Sequence, residues 1–170
     1  MKEGGTFIDC EAETITEVNE VILKYLEDVT KINDEGLHEV KEQLEAQHNH
    51  TSTQKNRSHF GHKIADGAEG CLIYLGETKH LTDRICCFIR LKNPLKSVDL
   101  LEVEIPVRFI FHMMGPEKSK NQFHEMGRCF ATLMSDQVWH EVAYSASSSD
   151  DLIMVSNILR CHINMPSFLK

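Results

Sequence analysis

Three short runs constrain this chain more than anything else in it: Cys71–Leu75, Ile85–Leu91 and Val107–Met114. Each is rich in β-branched, aromatic or sulfur-bearing side chains and is bounded by Gly, Asn or Pro. A half-exposed strand alternates apolar with polar residues, whereas these runs are apolar at odd and even positions alike. Strands of that kind need cover on both faces, as central strands of α/β proteins have. The runs also fall far short of the roughly 20 apolar residues that a membrane helix requires. They predict a small sheet of three strands, with its edge strands missing or weakly written.

Helical signals flank the runs. Thr14 stands three residues before Glu17, a capping-box spacing, and Ile15, Val18, Ile22, Tyr25, Leu26 and Val29 follow at helical period. After Asn33-Asp34 a second helix carries Leu37, Val40 and Leu44 on one face and Glu39, Glu42 and Glu45 on the other. Beyond the strands, helices are expected over 122–134, over 136–144 with Ser135 or Asp136 as cap, and over 150–160. The last opens with Ser148 three before Asp151. Strands followed by helices indicate an α/β or α+β sandwich. The expected organisation is a disordered terminus over 1–13, a helical acidic segment over 14–47, a His-rich linker over 48–62 and an α/β core over 63–170.

Charge excludes several function classes. Residues 1–47 hold 13 carboxylates against 4 Lys, a net of −9, within a whole-chain net charge of −8. An acidic front with no basic cluster argues against nucleic acid, and equally against direct adhesion to an anionic lipid surface. The six cysteines show no framework spacing, and four lie inside apolar runs, as thiols of a reduced compartment do. The N-terminus has no signal-peptide pattern. A cytoplasmic protein is expected.

No catalytic constellation emerges. His48, His50, His59 and His62 match no zinc module, and His124-Glu125 and His140-Glu141 each lack the second histidine of HExxH. The loop from Gly115 to Lys120 has the place of a phosphate-binding turn but lacks the second Gly of a P-loop. His112, mid-strand, reads as a hydrogen-bonded core histidine. Arg90 and Arg108 close or interrupt apolar strands and need carboxylate partners, with Glu102 or Glu104 as candidates for them. No catalytic residue, metal site or cofactor is expected.

Residues 105–144, IPVRFIFHMMGPEKSKNQFHEMGRCFATLMSDQVWHEVAY, carry a longer pattern. Pro106-Val107-Arg108-Phe109, the Gly115-Pro116 turn, His124-Glu125 with Gly127-Arg128, Ala131 to Asp136 including Thr132, and Ala143-Tyr144 together resemble the signature segment of the bicarbonate transporter family's cytoplasmic domain. That family comprises the band 3-like anion exchangers and the sodium–bicarbonate cotransporters. Upstream, Ala68-Glu69, Leu75-Gly76 and Phe88-Ile89-Arg90-Leu91 also fit, so the resemblance spans residues 63 to about 166. It implies a central mixed sheet covered by helices, the sandwich shared with IIA-type phosphocarriers. Arg90, Pro106, Arg108, Phe109, Gly115, Pro116, His124, Glu125, Gly127, Arg128, Thr132, Asp136 and Tyr144 are the signature positions, with structural roles. Arg108 and Arg128 are each expected to pair with a carboxylate, from Glu125, Glu104 or Asp136.

The resemblance implies a non-enzymatic regulatory and protein-interaction domain of a bicarbonate or inorganic anion transporter, here without its membrane domain. The partners it implies are the membrane domain or full-length transporter subunits, cytoskeletal or metabolic proteins, and a second copy in a weak homodimer. A second reading, from a different class, is a phosphocarrier-like or anion-binding protein using His112 or His124 near the Gly115–Lys120 loop.

Overall fold

The structure, a computed structural model, describes residues 5–46, 64–96, 105–152 and 154. The linker expected over 48–62, Glu102, Glu104 and most of the helix expected over 150–160 lie outside the described residues. In chain order the elements are β1 (Gly5–Cys10), α1 (Ile15–Val29), α2 (Asp34–Ala46), β2 (Gly70–Glu77), β3 (Ile85–Leu95), β4 (Val107–Gly115), α3 (Lys120–Met134) and α4 (Gln137–Ser145).

The sheet runs β1-β3-β4-β2. The central pair β3 and β4 is antiparallel, with Phe88 opposite Phe111 and Ile89 opposite Ile110. Outside them, β1 lies parallel to β3 and β2 parallel to β4. This is the mixed sheet that the resemblance implies, with four strands rather than the three that the apolar runs mark, and both of its faces are covered as those runs require. Toward α1 and α2 point Leu72 and Tyr74 of β2, Cys87, Ile89 and Leu91 of β3, and Ile110 and Met114 of β4. They meet Val18, Ile22 and Leu26 of α1 and Val40 and Leu44 of α2. On the other face Phe88, Phe109, Phe111 and Met113 pack against Phe123, Phe130 and Leu133 of α3 and Trp139 of α4. Phe111 stacks on Phe130 at a centroid separation of 4.0 Å.

The helices begin where their caps place them. Thr14 Oγ1 accepts from the Glu17 amide at 3.2 Å, while the Glu17 carboxylate reaches back to the Glu13 amide at 2.8 Å. Asn33 Oδ1 accepts from Gly36 N at 2.9 Å and starts α2. Asp136, not Ser135, caps α4, accepting from Trp139 N at 2.9 Å. Helix α3 starts at Lys120, two residues before the periodic pattern begins. The Ser148 amide donates to the Asp151 carboxylate at 3.0 Å and the Asp151 amide to Ser148 Oγ at 3.4 Å, the expected capping box.

Two expectations are corrected. Residues 1–13 were to be disordered, yet Gly5–Cys10 forms β1, the fourth strand of the sheet. Its partner strand lies some 80 residues away in the chain, so no local pattern marks it; Phe7 is held edge-on to Tyr25 of α1 at 5.5 Å. The division at residues 48–62 also does not separate two bodies. Helices α1 and α2 provide one wall of the core that β2, β3 and β4 build.

Candidate functional site

Arg90 and Arg108 stand on the two central strands, where Arg90 of β3 is opposite Phe109 of β4. Both guanidinium groups are largely out of water, so every donor needs a partner. Arg90 Nη1 donates to the carbonyls of Ala143 at 3.0 Å and Tyr144 at 2.8 Å. These are last-turn carbonyls of α4 that no further helical turn can satisfy, and a cation there suits the helix dipole. Arg90 Nε and Nη2 both donate to Asp9 Oδ1, at 3.2 and 2.9 Å. Asp9 reaches that position with φ of 56°, a left-handed conformation that Asp tolerates better than most residues.

Arg108 grips Glu69 with two parallel bonds of 2.8 Å, Nε to Oε2 and Nη2 to Oε1, the planar fork that arginine and carboxylate favour. Its remaining Nη1 donates to the Leu91 and Lys92 carbonyls at 3.0 and 2.7 Å. There the β3–β4 ladder shifts register, between Arg90 and Leu95. Tyr144 completes the cluster. Its hydroxyl donates to Glu69 Oε2 at 2.8 Å, and its ring sits edge-on to Phe109 at 4.9 Å and tilted against His140 at 4.8 Å. Pro106, beside the cluster, accepts from Gly70 N at 2.7 Å through its carbonyl.

The electrostatics are those of a fastening. Hydrogen bonding from Arg108 holds the Glu69 carboxyl below its ordinary range, against the opposing effect of burial. Burial, then the bond to Glu69, pushes the Tyr144 phenol up to about 12. Both groups therefore keep one protonation state across the neutral range. The cluster joins β1, β3, β4, α4 and the chain entering β2 without offering a proton or a nucleophile.

Four signature positions, Arg90, Arg108, Phe109 and Tyr144, thus converge in space, with Pro106 adjoining. Sequence reasoning did not find Asp9 or Glu69 as the partners. Glu69 lay within the resemblance but 39 positions before Arg108, and Asp9 lay in the stretch read as disordered. Arg128 does not behave as expected. It is exposed on α3 and has no ion pair with a described carboxylate, and neither Glu125 nor Asp136 serves either arginine. At the surface of α3 its side chain is solvated by water and needs no partner.

The remaining positions have separate reasons. A Cβ on Gly115 would stand 2.6 Å from Phe123 Cζ, and one on Gly127 would stand 3.0 Å from Leu75 Cδ1. Both glycines let α3 approach the sheet closely. Pro116 follows Gly115 at the turn and is half-buried. Thr132 Oγ1 donates to the Arg128 carbonyl at 3.0 Å within α3. His124 and Glu125 are exposed on α3. His112 is 1% exposed, and burial lowers its imidazole to about 4, which makes it a neutral core residue. The thiols of Cys86 and Cys87 are raised by the same burial and stay protonated.

A mixed four-stranded sheet covered by helices on both faces and fastened by Arg90 and Arg108 defines an α/β sandwich domain. The family model for the band 3 cytoplasmic domain matches residues 52–168, and the chain belongs to that family. The human electroneutral sodium bicarbonate exchanger 1 is 40% identical over 115 residues, which is 68% of this chain and 10% of that protein. The rat anion exchange protein 2 is 36% identical over 116 residues, 68% of this chain and 9% of that protein. The chain thus spans about a tenth of the length of these relatives. Among solved structures, the nitrogen regulatory protein IIA-Ntr of Neisseria meningitidis superposes with a TM-score of 0.64 at 21% identity, covering 86% of this chain and 89% of that one. That likeness is one of fold. Membership of a cytoplasmic-domain family places the chain in the cytoplasm, and no helix among the described residues is long and apolar enough to cross a membrane.

Proposed function

We propose that this chain is a non-enzymatic regulatory and protein-interaction domain acting on a bicarbonate or inorganic anion transporter at the cytoplasmic face of the plasma membrane. The observation that carries this reading is the convergence of Arg90, Arg108, Phe109 and Tyr144 on Glu69 and Asp9. These residues go into holding one shape, as a domain working through its surface requires, and the chain's relatives include bicarbonate and anion exchangers. Its partners are the membrane domain or full-length subunits of a transporter, with cytoskeletal or metabolic proteins and a second copy as further candidates.

The phosphocarrier reading has less support. Fold likeness does not transfer activity, and His112 has its imidazole inside the core, where no phosphoryl donor reaches it. The test is co-expression of the tagged chain with a sodium bicarbonate exchanger. Co-purification and an altered rate of bicarbonate-dependent recovery of cytosolic pH after an acid load are expected. Neither effect, with this exchanger or with an anion exchanger, would remove the proposal. Acid-labile phosphate on a histidine after incubation with phosphoryl donors would put the phosphocarrier reading in its place.

A further inference from the structure

The chain leaves α4 through three exposed serines followed by two aspartates, Ser147-Ser148-Ser149-Asp150-Asp151. Leu152, the next residue, is 1% exposed in the cluster with Phe88, Phe130 and Trp139, so the turn is anchored while its serines stay in water. A capping box closes the turn. The Asp151 carboxylate accepts from the Ser147 and Ser148 amides at 2.9 and 3.0 Å, and the Asp151 amide donates to Ser148 Oγ at 3.4 Å. Those bonds hold the Asp151 carboxyl below its ordinary range, so it is ionised at neutral pH. All three bonds are exposed, and water competes for each of them. No Lys or Arg occurs between Arg128 and Arg160.

A protein kinase selects its serine by the charges beside it, favouring the complementary pattern and excluding the opposite one. A kinase that requires upstream arginines finds none here. One with a basic substrate groove, reading carboxylates two and three residues after the serine, finds Asp150 and Asp151 after Ser148. Ser147 has only Asp150 within that distance. Ser145 has neither, and its Oγ is donated to the Glu141 carbonyl at 2.8 Å. We infer that Ser148 is a phosphorylation site for an acidophilic serine kinase of the cytoplasm. The γ-phosphoryl group of ATP passes to Ser148 Oγ, a P–O bond forming there as the bond to ADP breaks, and the hydroxyl proton goes to the kinase's carboxylate base. The product is a phosphate of charge about −2 beside the Asp151 carboxylate, and like charges at that range drive the capping box apart. Helix α4 stays in place, since Arg90 holds its Ala143 and Tyr144 carbonyls. The modification is thus a local charge switch on an intact domain, whether or not the chain acts on a transporter.

The full chain is incubated with magnesium-ATP and casein kinase II, and in parallel with the arginine-directed cyclic-AMP-dependent kinase. The site is read by mass spectrometry of the tryptic peptide 129–160. One phosphate on Ser148 is expected from the first kinase, and none in this peptide from the second. Ser148→Ala, and Asp150→Asn at an exposed position outside the capping box, should each lower the initial rate of incorporation into the peptide about tenfold. Faster hydrogen exchange at the Ser147 and Ser148 amides, with that of Trp139 unchanged, is the expected mark of the opened box. The tagged chain recovered from cultured human cells with phosphatases inhibited should carry the same phosphate. Phosphate confined to another residue, equal labelling of Asp150→Asn, or an unlabelled Ser148 both in the tube and in cells would each overturn the inference. Should Ser148→Ala fail to fold, the mapped site and the Asp150→Asn rate decide it.

Discussion

The guanidinium of Arg108 shows how much one residue can announce and how much it leaves out. An arginine inside an apolar strand states that a carboxylate must be near, because a buried cation is untenable without one. It does not state which, and the choice of Glu69 over nearer acids follows from the parallel pairing of β2 with β4, a property of the assembled sheet. Replacing Arg108 with Met would leave Glu69, whose side chain is 14% exposed, with the Tyr144 hydroxyl as its remaining donor and would strip the guanidinium from the Leu91 and Lys92 carbonyls. A loss of about 3 kcal/mol is expected, the lower end of the range for breaking a buried pair because both groups keep some water. Urea denaturation of Arg108→Met beside the parent chain measures it, and an unchanged midpoint would show that the fork contributes nothing. His112 was legible as a core histidine from its place in the run, and its burial has a pH consequence. The imidazole binds protons near 6.5 when unfolded but only near 4 when folded. Between those values the unfolded chain holds more protons, so stability falls as pH drops from 6.5 toward 4 and this contribution levels off below. The Glu69 carboxylate, held below its ordinary 4.5, adds a second loss that begins only at lower pH. The melting temperature of the parent should therefore decline already below pH 6.5, and His112→Leu should abolish that first decline while leaving the second.

Elements differ in how openly they are written. Helices α1 and α2 are set by local signals, an oxygen-bearing cap followed by apolar residues at helical period, and those signals lie within a few residues of each other. Thr14→Ala removes the cap acceptor of the Glu17 amide and should cost about 1 kcal/mol, seen as a lower denaturation midpoint with unchanged slope. Strand β1 is the opposite case. Six residues, GTFIDC, with a glycine and an aspartate among them, give neither alternation nor a run. They become a strand because β3 offers an unpaired edge and because Arg90 and Lys92 on β3 take Asp9 and Glu11 as ion partners, at 2.9 and 2.6 Å. A chain lacking residues 1–13 would leave that edge of β3 open and Arg90 without its carboxylate. An open, long, apolar edge invites pairing with another copy. Such a chain is expected to associate, detectable in light scattering as a mass that rises with concentration more steeply than that of the parent chain. A truncated form that stays monomeric and melts at the parent temperature would show that β1 is dispensable.

At the scale of the whole molecule, the two faces of the sheet make different demands on the chain. The face toward α3 and α4 is covered by segments that follow the strands directly and lie within the resemblance. The face toward α1 and α2 is covered from the acidic N-terminal segment, which a reading by composition separates from the core. Its charge faces outward and its apolar stripe inward. Val18, Ile22, Leu26, Val40 and Leu44 are all at most 2% exposed against the sheet. At about 1.5–3 kcal/mol for each such side chain buried, this layer contributes as much as the whole net stability of a domain, about 5–15 kcal/mol. A chain beginning at Lys63 would therefore expose Leu72, Ile89, Leu91 and Ile110 to water and lose its cooperative fold. It is expected to keep part of its far-UV circular dichroism, bind an apolar dye strongly and melt without a sharp transition, the signs of lost packing. Adding residues 1–46 as a separate polypeptide should suppress the dye signal and restore a cooperative melt, since β1, α1 and α2 dock on the sheet by burial and ion pairs. A sharp, dye-free melt from the 63–170 chain alone would show that the core is complete without its acidic layer. The N-terminal segment would then be an appendage free to serve a partner instead of a wall of the domain.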